Sequence, residues 1–401
     1  MMNKIPKGWE VKKLGEIFNI VRGGSPRPIK SYLTDDKNGI NWIKIGDIET
    51  GSKYITHTKQ KILASGLKKS RAVKAGDLLL TNSMSFGRPY ISKINGAVHD
   101  GWLIFEPKIQ ISKDYVFYFF SSSDTYSKLS NLAVGSTVKN LQINFLENFE
   151  IPLPPLSEQK AIADKLDDSF AKIENAITNL INAKENLKLY KQSVLKSAFN
   201  GDLLPNTSPT HWEVKKLGEI CEIMDNQRKP INSSEREKRL ISSKQKFPYY
   251  GATGQVGFID DYIFDCEAIL LGEDGAPFLD FFKDKAYMVS GKFWVNNHAH
   301  ILKAKNKISL NAFICYFLNT LDYSPYVSGT TRLKLNQSSM KNIEIPLPPL
   351  SEQNLIVAEI DRRFAIVDKT LNLIDTSIQN AKNLKQSILK KAFSGELRSE
   401  I

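Results

Sequence analysis

The chain has 401 residues, of which 41% are hydrophobic and 24% charged, and a net charge of +12. At roughly 100–200 residues per domain this length gives two to four domains, and no apolar run reaches the roughly 18–20 residues that cross a bilayer, which argues against a helical membrane protein. The N-terminus Met1-Met2-Asn3-Lys4-Ile5-Pro6 lacks the apolar stretch of a signal peptide, and Cys221, Cys266 and Cys315 are odd in number and widely spaced, so reduced thiols and a cytoplasmic location are expected.

The charge is uneven. Residues 1–150 carry 22 Lys and Arg against 13 Asp and Glu, a net +9, whereas residues 151–210 are balanced at 7 and 7. Residues 211–344 (18 against 16) and 345–401 (8 against 7) are nearly neutral. A basic globular segment beside neutral ones suits a polyanion better than a membrane surface, although a charge of this size also serves solubility alone.

The sequence repeats itself. Trp9-Glu10-Val11-Lys12-Lys13-Leu14-Gly15-Glu16-Ile17 returns unchanged as Trp212–Ile220, an offset of 203. Ile151-Pro152-Leu153-Pro154-Pro155-Leu156-Ser157-Glu158-Gln159 returns as Ile345–Gln353, and Val194–Leu203 is echoed by Ile388–Leu397, both offset by 194. The variable part between the anchors is therefore nine residues shorter in the second copy. So long a period is that of a duplicated two-part unit and not of a solenoid.

In chain order, residues 1–150 read as the first globular domain, mixed α/β with short strands such as Ile40–Ile48 and Asp77–Thr81. The loop Thr81–Tyr90 offers Asn82, Ser83, Ser85 and Arg88, a guanidinium able to grip guanine or phosphate beside short polar groups. A helical stretch is expected around Tyr115–Phe120, followed by Ser136, Thr137 and Lys139 on a glycine loop. Residues 151–205 read as a long helix. Pro154-Pro155 keep the chain extended, Ser157 stands as N-cap, and Gly201 stops the helix. Its apolar positions Ile162, Leu166, Phe170, Ile173, Ile177, Leu180, Leu187, Tyr190, Val194 and Ala198 step by three and four, or by their sum where one is skipped.

Residues 206–344 read as the second globular domain. Tyr250 and Thr253 sit in a glycine turn, and Thr330, Thr331, Arg332 and Lys334 occupy the place of the first copy's Ser136–Lys139 loop. A helix is expected at Ala312–Leu318. His298-Ala299-His300 lacks further ligands at metal spacing and reads as structural. Glu273 and Asp274, adjacent on a glycine turn, would point to opposite sides and serve as hydrogen-bond acceptors, not as a joint acid–base pair. Residues 345–401 repeat the long helix, capped by Ser351, with Ile356, Ile360, Phe364, Val367, Leu371, Ile374, Ala381, Leu384, Ile388 and Ala392 on its stripe. Two such stripes in one chain are expected to bury each other as an antiparallel coiled coil, with the domains at opposite ends about an approximate two-fold axis. The fold class expected is thus α+β: two mixed α/β domains joined by two long packed helices. There is no phosphate loop, no dinucleotide fingerprint and no Asn/Asp-Pro-Pro-aromatic tetrapeptide, so neither catalytic residues, metal ligands nor a cofactor are assigned.

The ordered set of P-L-P-P-L-S-E-Q helix entries, W-E-V-K-K-L-G-E-I openings and matching helix ends resembles the specificity subunits of type I DNA restriction-modification systems over the whole chain. Tyr250–Gly254, Gly272–Ala276 and Asn296–His300 also resemble phrases of that family's recognition domains. The resemblance implies a prokaryotic, non-catalytic subunit with two target recognition domains, each reading half of an asymmetric duplex DNA site. It implies that the helices set the gap and dock two modification (methyltransferase) subunits acting on adenine, with restriction (ATPase/nuclease) subunits joining. A coiled-coil interaction protein with an incidental basic domain is the competing reading, and a solitary DNA enzyme is disfavoured by the missing motifs.

Overall fold

The computed structural model describes residues 5–49, 51–82, 86–132, 141–205 and 209–397. The chain divides into two compact units, one formed by Met1–Asn179 with Thr376–Ile401 and the other by Leu180–Asp375. Both boundaries fall inside a long helix, so each unit owns a part of both.

In the first unit a five-stranded sheet runs in the order Phe18–Arg22, Trp102–Pro107, Leu78–Thr81, Pro89–Ser92, Tyr54–Ile55. A second sheet of five short strands is ordered Leu33–Thr34, Lys61–Ile62, Ile40–Ile43, Gly96–Val98, Arg71–Val73. Leu78, Leu80, Leu103 and Phe105 turn one way into the main core, while Leu79, Ile104 and Trp102 turn the other way into a smaller one, the period-two alternation of strands buried on both faces. The helix Lys113–Ser121, capped by Ser112, buries Tyr115 through Phe120 on the main core.

The second unit repeats the plan with fewer strands. One four-stranded sheet is ordered Cys221–Ile223, Ala299–Ala304, Ala268–Gly272, Ala286–Val289, and the other Gly254–Ile259, Phe247–Gly251, Lys292–Val295, Phe264–Asp265. The helix Asn311–Leu318 takes the place of the first unit's buried helix. The charged helix Ser233–Ser242 packs Arg236 over the Tyr249 ring and Arg239 over Trp294.

The repeated sequence anchors have a common structural use. Glu10–Lys13 pairs antiparallel with Glu150–Leu153, and Glu213–Lys216 pairs with Glu344–Leu347 in the same register. The short helices that follow bury Leu14, Ile17, Leu217 and Ile220. Gly15 lies so close to Glu147 that an added Cβ would come within 2.9 Å of that residue's own Cβ, which accounts for glycine inside the anchor.

The long helices span Leu156–Asn200 and Leu350–Ser394, 45 residues each, or ~67 Å at 1.5 Å per residue. They begin slightly earlier than expected. Pro155 and Pro349 already accept the first intrahelical bonds, from Gln159 and Gln353 at 3.0 Å, so Ser157 and Ser351 lie in the first turn and not at its cap. Gly201 and Gly395 end the helices at φ +79 and +81°, the left-handed conformation glycine adopts without strain.

Within each unit the two helices run antiparallel. In the first, Leu389 and Ala392 join the core of Ile162 and Leu166, while further along Glu174 pairs with Lys385, which also lies 4.8 Å over the Phe170 ring. In the second, Lys184 pairs with Asp375 at 2.6 Å and Lys191 with Asp368 at 2.5 Å, seven residues up one helix against seven down the other. Ile162, Leu166, Ile173, Ile177, Ile356, Ile360, Val367 and Ile374 are buried, and Phe170, Leu180, Phe364 and Leu371 are half-buried, as the stripe requires. The stripe is interrupted at Tyr190 and Leu384, which are 41% and 50% exposed.

Candidate nucleic-acid interface

The first domain's loop begins where Leu78–Thr81 ends. Thr81 closes it by accepting from the Arg88 amide at 2.9 Å, and Arg88 projects into solvent. Asn82 corrects the sequence reading, because it is fully buried and its Oδ1 accepts the Leu141 amide at 2.9 Å. An asparagine committed to holding two chain segments together does not face DNA. Ser83, Ser85, Ser136, Thr137 and Lys139 lie outside the described residues.

The first domain also holds a cavity of about 1010 Å³ lined by Pro26, Pro28, Ile29, Leu33 and Trp42, with Arg27, Lys30 and Lys44 among its lining residues. Asp100 organises one wall by accepting from Ser25 Oγ at 2.8 Å and pairing with Arg27 at 3.6 Å. Gly23 permits this, since a Cβ there would lie 2.1 Å from the His99 carbonyl oxygen. His99 stands between Trp42 and Trp102, and burial lowers its pKa, a shift that the nearby Asp100 carboxylate only partly offsets. The run Gly23-Gly24-Ser25-Pro26-Arg27-Pro28 was the available sequence signal for this site.

In the second domain three separated sequence phrases converge. Asp274 Oδ1 receives His298 Nδ1 at 2.5 Å and Arg332 Nη2 at 2.7 Å. Glu273 turns to other partners, Arg228 at 2.6 Å and Lys334 at 3.2 Å. Backbone bonds lock the phrases together: the Glu273 amide donates to the His298 carbonyl and the Leu335 amide to the Glu273 carbonyl, both at 2.8 Å. Thr330, Thr331, Arg332 and Lys334 are exposed on the rim. Thr253 is exposed at a hairpin tip, whereas Tyr250 is half-buried against Tyr287 and Phe293.

Beneath the rim, His300 is fully buried with Nδ1 2.6 Å from Asp225 and Nε2 2.8 Å from the Leu335 carbonyl. Burial alone would raise the Asp225 carboxyl pKa, but the His300 hydrogen bond and charge, with Gln337 and the Ile301 amide, outweigh it and hold it low. Both ring nitrogens thus face an oxygen acceptor, the Asp225 carboxylate on one side and the Leu335 carbonyl on the other. Asp225, Glu273 and His300 have ligand atoms within 4.8 Å of one another. The Arg228 guanidinium already lies between the two carboxylates, so side-chain cations compensate their charge. Asp225 and Arg228 carried no motif in the sequence; only contact reveals them.

A duplicated pair of mixed α/β domains on antiparallel helices, with polar glycine loops and paired cations on the domain surfaces, defines a two-domain recognition scaffold. The chain belongs to the type I restriction-modification DNA specificity family, whose profile, described as the type I restriction modification DNA specificity domain, matches residues 6–183 and 209–380. It is 26% identical over 436 residues to the type I restriction enzyme StySPI specificity subunit of Salmonella potsdam, covering 99% of this chain and 91% of that protein. It is also 26% identical over 431 residues to the EcoKI specificity subunit of Escherichia coli K12, with the same coverage of 99% and 91%. The fold is similar to that of the HsdS subunit from Thermoanaerobacter tengcongensis, with TM-score 0.61 at 20% identity, covering 98% of this chain and 99% of that one. A chain from a structure of a type I R-M system gives TM-score 0.75 at 19% identity, covering 98% and 99%. Among the described residues no helix is long and apolar enough to cross a membrane.

Proposed function

We propose that this chain is the non-catalytic DNA-reading subunit of a prokaryotic type I restriction-modification complex. Residues 1–150 and 206–344 each read one half of a bipartite, asymmetric duplex target. Residues 151–205 and 345–401 form the spacer that sets the gap between the halves and offers docking surfaces to two modification subunits, which methylate adenine. Restriction subunits join through that complex. The first domain reads through Arg88 and the segments around Ser83, Ser85, Ser136, Thr137 and Lys139, the second through Thr253, Thr330, Thr331, Arg332 and Lys334.

One observation carries this reading. Several of the contacts that fasten each domain to its long helix recur at matching positions in both units, while the strands and loops between them differ in number and chemistry. Tyr118 bonds Asp167 in one unit and Tyr316 bonds Asp361 in the other, and in each the tyrosine meets a helix phenylalanine edge to face, Phe170 or Phe364. A common mount with different faces is what two matching partner subunits and two different DNA words require.

A four-residue insertion near Lys184 tests the spacer. It lengthens the helix by ~6 Å, and at ~3.4 Å per base pair the gap should grow by one or two base pairs. An unchanged gap contradicts the spacer. Equal binding of the complete subunit assembly to all duplex sequences contradicts the DNA-reading function.

A further inference from the structure

We propose that Arg332 reads a guanine, held in aim by Asp274, so that the half-site of the second domain contains a guanine recognised through its N7 and O6 acceptors. The inference rests on the DNA-reading function above and assigns its chemistry at one position.

The guanidinium is held on two sides, and the Arg332 backbone is held by a third contact. Its Nη2 donates to Asp274 Oδ1 at 2.7 Å, and the same oxygen holds His298 at 2.5 Å. Gly275, at φ +69°, lies flat against it, and an added Cβ would sit 3.4 Å from Nη2 and 3.5 Å from Nε. Gly329, at φ +105°, lets the loop fold back, since a Cβ there would meet the Arg332 carbonyl oxygen at 2.5 Å. A Cβ at Gly329 would thus force the Arg332 backbone to move, whereas one at Gly275 would only make contact with the guanidinium.

Charge and exposure separate base from phosphate. The Arg332 side chain is 60% exposed and that of Asp274 only 19%, so the carboxylate stands behind and the cation in front. A phosphate contact needs net positive charge and tolerates a mobile side chain. Here Arg332 is paired with the Asp274 carboxylate, and Lys334 and Arg228 share Glu273, which lowers the attraction for phosphate. What the carboxylate adds is direction, and direction is what a base edge demands. Asp274 engages one of the five guanidinium N–H groups, leaving a pair for the two acceptors of guanine. Arg88 differs: among the described residues no carboxylate pairs with it.

The test is selection from a randomised duplex library by the full chain assembled with its modification subunits, for the unaltered protein and for Arg332→Ala, Arg332→Lys and Asp274→Asn. The unaltered assembly should enrich a two-part motif with a guanine in one part. Arg332→Ala should lose the preference for that guanine by about ten- to hundredfold, with every other position unchanged, and Arg332→Lys should lose less, since an ammonium can still donate to guanine. Asp274→Asn should lose less, because an amide oxygen still accepts. Replacing that guanine by 7-deazaguanine should weaken the unaltered protein and not Arg332→Ala. Retained preference in Arg332→Ala, or uniform weakening on all sequences in Arg332→Ala with a salt dependence shallower by about one, overturns the inference in favour of a phosphate contact. An unaltered assembly that enriches no motif overturns the DNA-reading function and this inference together, whereas an enriched motif indifferent to Arg332 overturns this inference alone.

Discussion

Trp9 Nε1 donates a 2.9 Å hydrogen bond to Glu158 Oε1, and Trp212 repeats it with Glu352 at 3.0 Å. The first residue of each opening motif is thereby tied to the first turn of the long helix that follows it by about 150 residues. Two sequence phrases far apart in the chain form one joint, which explains why they recur together.

A bond to a charged acceptor contributes about 1.5–3 kcal/mol, and this one is half-buried. Glu158→Ala should therefore lower the unfolding free energy of the complete chain by about 1–2 kcal/mol in urea titration, and Glu158→Gln should restore most of it through its amide oxygen. Equal stability of Glu158→Ala and the unaltered protein would show that the joint is incidental.

The glutamine beside it contributes more. Gln353 is fully buried; its Oε1 accepts the Leu310 amide at 3.0 Å, and its Nε2 donates to the carbonyls of Pro348 and Ile308 at 2.9 and 3.1 Å. Gln353→Ala leaves these backbone groups unpaired, at about 1–3 kcal/mol for a buried unsatisfied group. A loss of about 2–4 kcal/mol is expected by urea unfolding, and a loss under about 0.5 kcal/mol would mean that water replaces the side chain.

Acid should loosen the first domain through His99. Burial holds its folded-state pKa below the ordinary 6.5, although Asp100 opposes the shift. Between the two values the unfolded chain binds a proton that the folded chain does not, so stability rises with pH there. The contribution is complete above about pH 6.5 and lost as pH falls toward the lower folded value. The melting temperature should therefore drop on acidification through this window, and His99→Gln should flatten that part of the profile. A profile identical in both proteins would assign the drop to other groups.

Arg88 is exposed and is the residue of the first domain proposed above, among those described, to touch DNA. Arg88→Ala should weaken methylation of the cognate site in the complete assembly, by about 1–3 kcal/mol if a base contact is lost. Unaltered affinity and specificity would remove Arg88 from the DNA surface.

The scaffold was legible in the sequence because its signals are local or repeated. Heptad-like steps, proline entries, glycine stops and letter-for-letter anchors placed both helices, and the buried stripe follows from Ile162 to Ile374. The stripe failed at Tyr190 and Leu384, because periodicity marks a face without showing whether a partner covers it. The sites were less legible. Asn82 has the chemistry of a base reader, yet it is buried and its Oδ1 accepts the amide of Leu141, 59 positions away. Arg332 is a candidate DNA contact, Asp274 an acceptor and His298 a structural residue when read singly, and their joint meaning arises only when three segments meet.

The most direct test of the account is a map of methylated adenines in the genome of cells carrying the complete system, with and without this chain. The account predicts one asymmetric two-part motif, its halves different and its gap fixed, whose methylation disappears when the chain is deleted. A contiguous or palindromic motif, or methylation that persists without the chain, would contradict it.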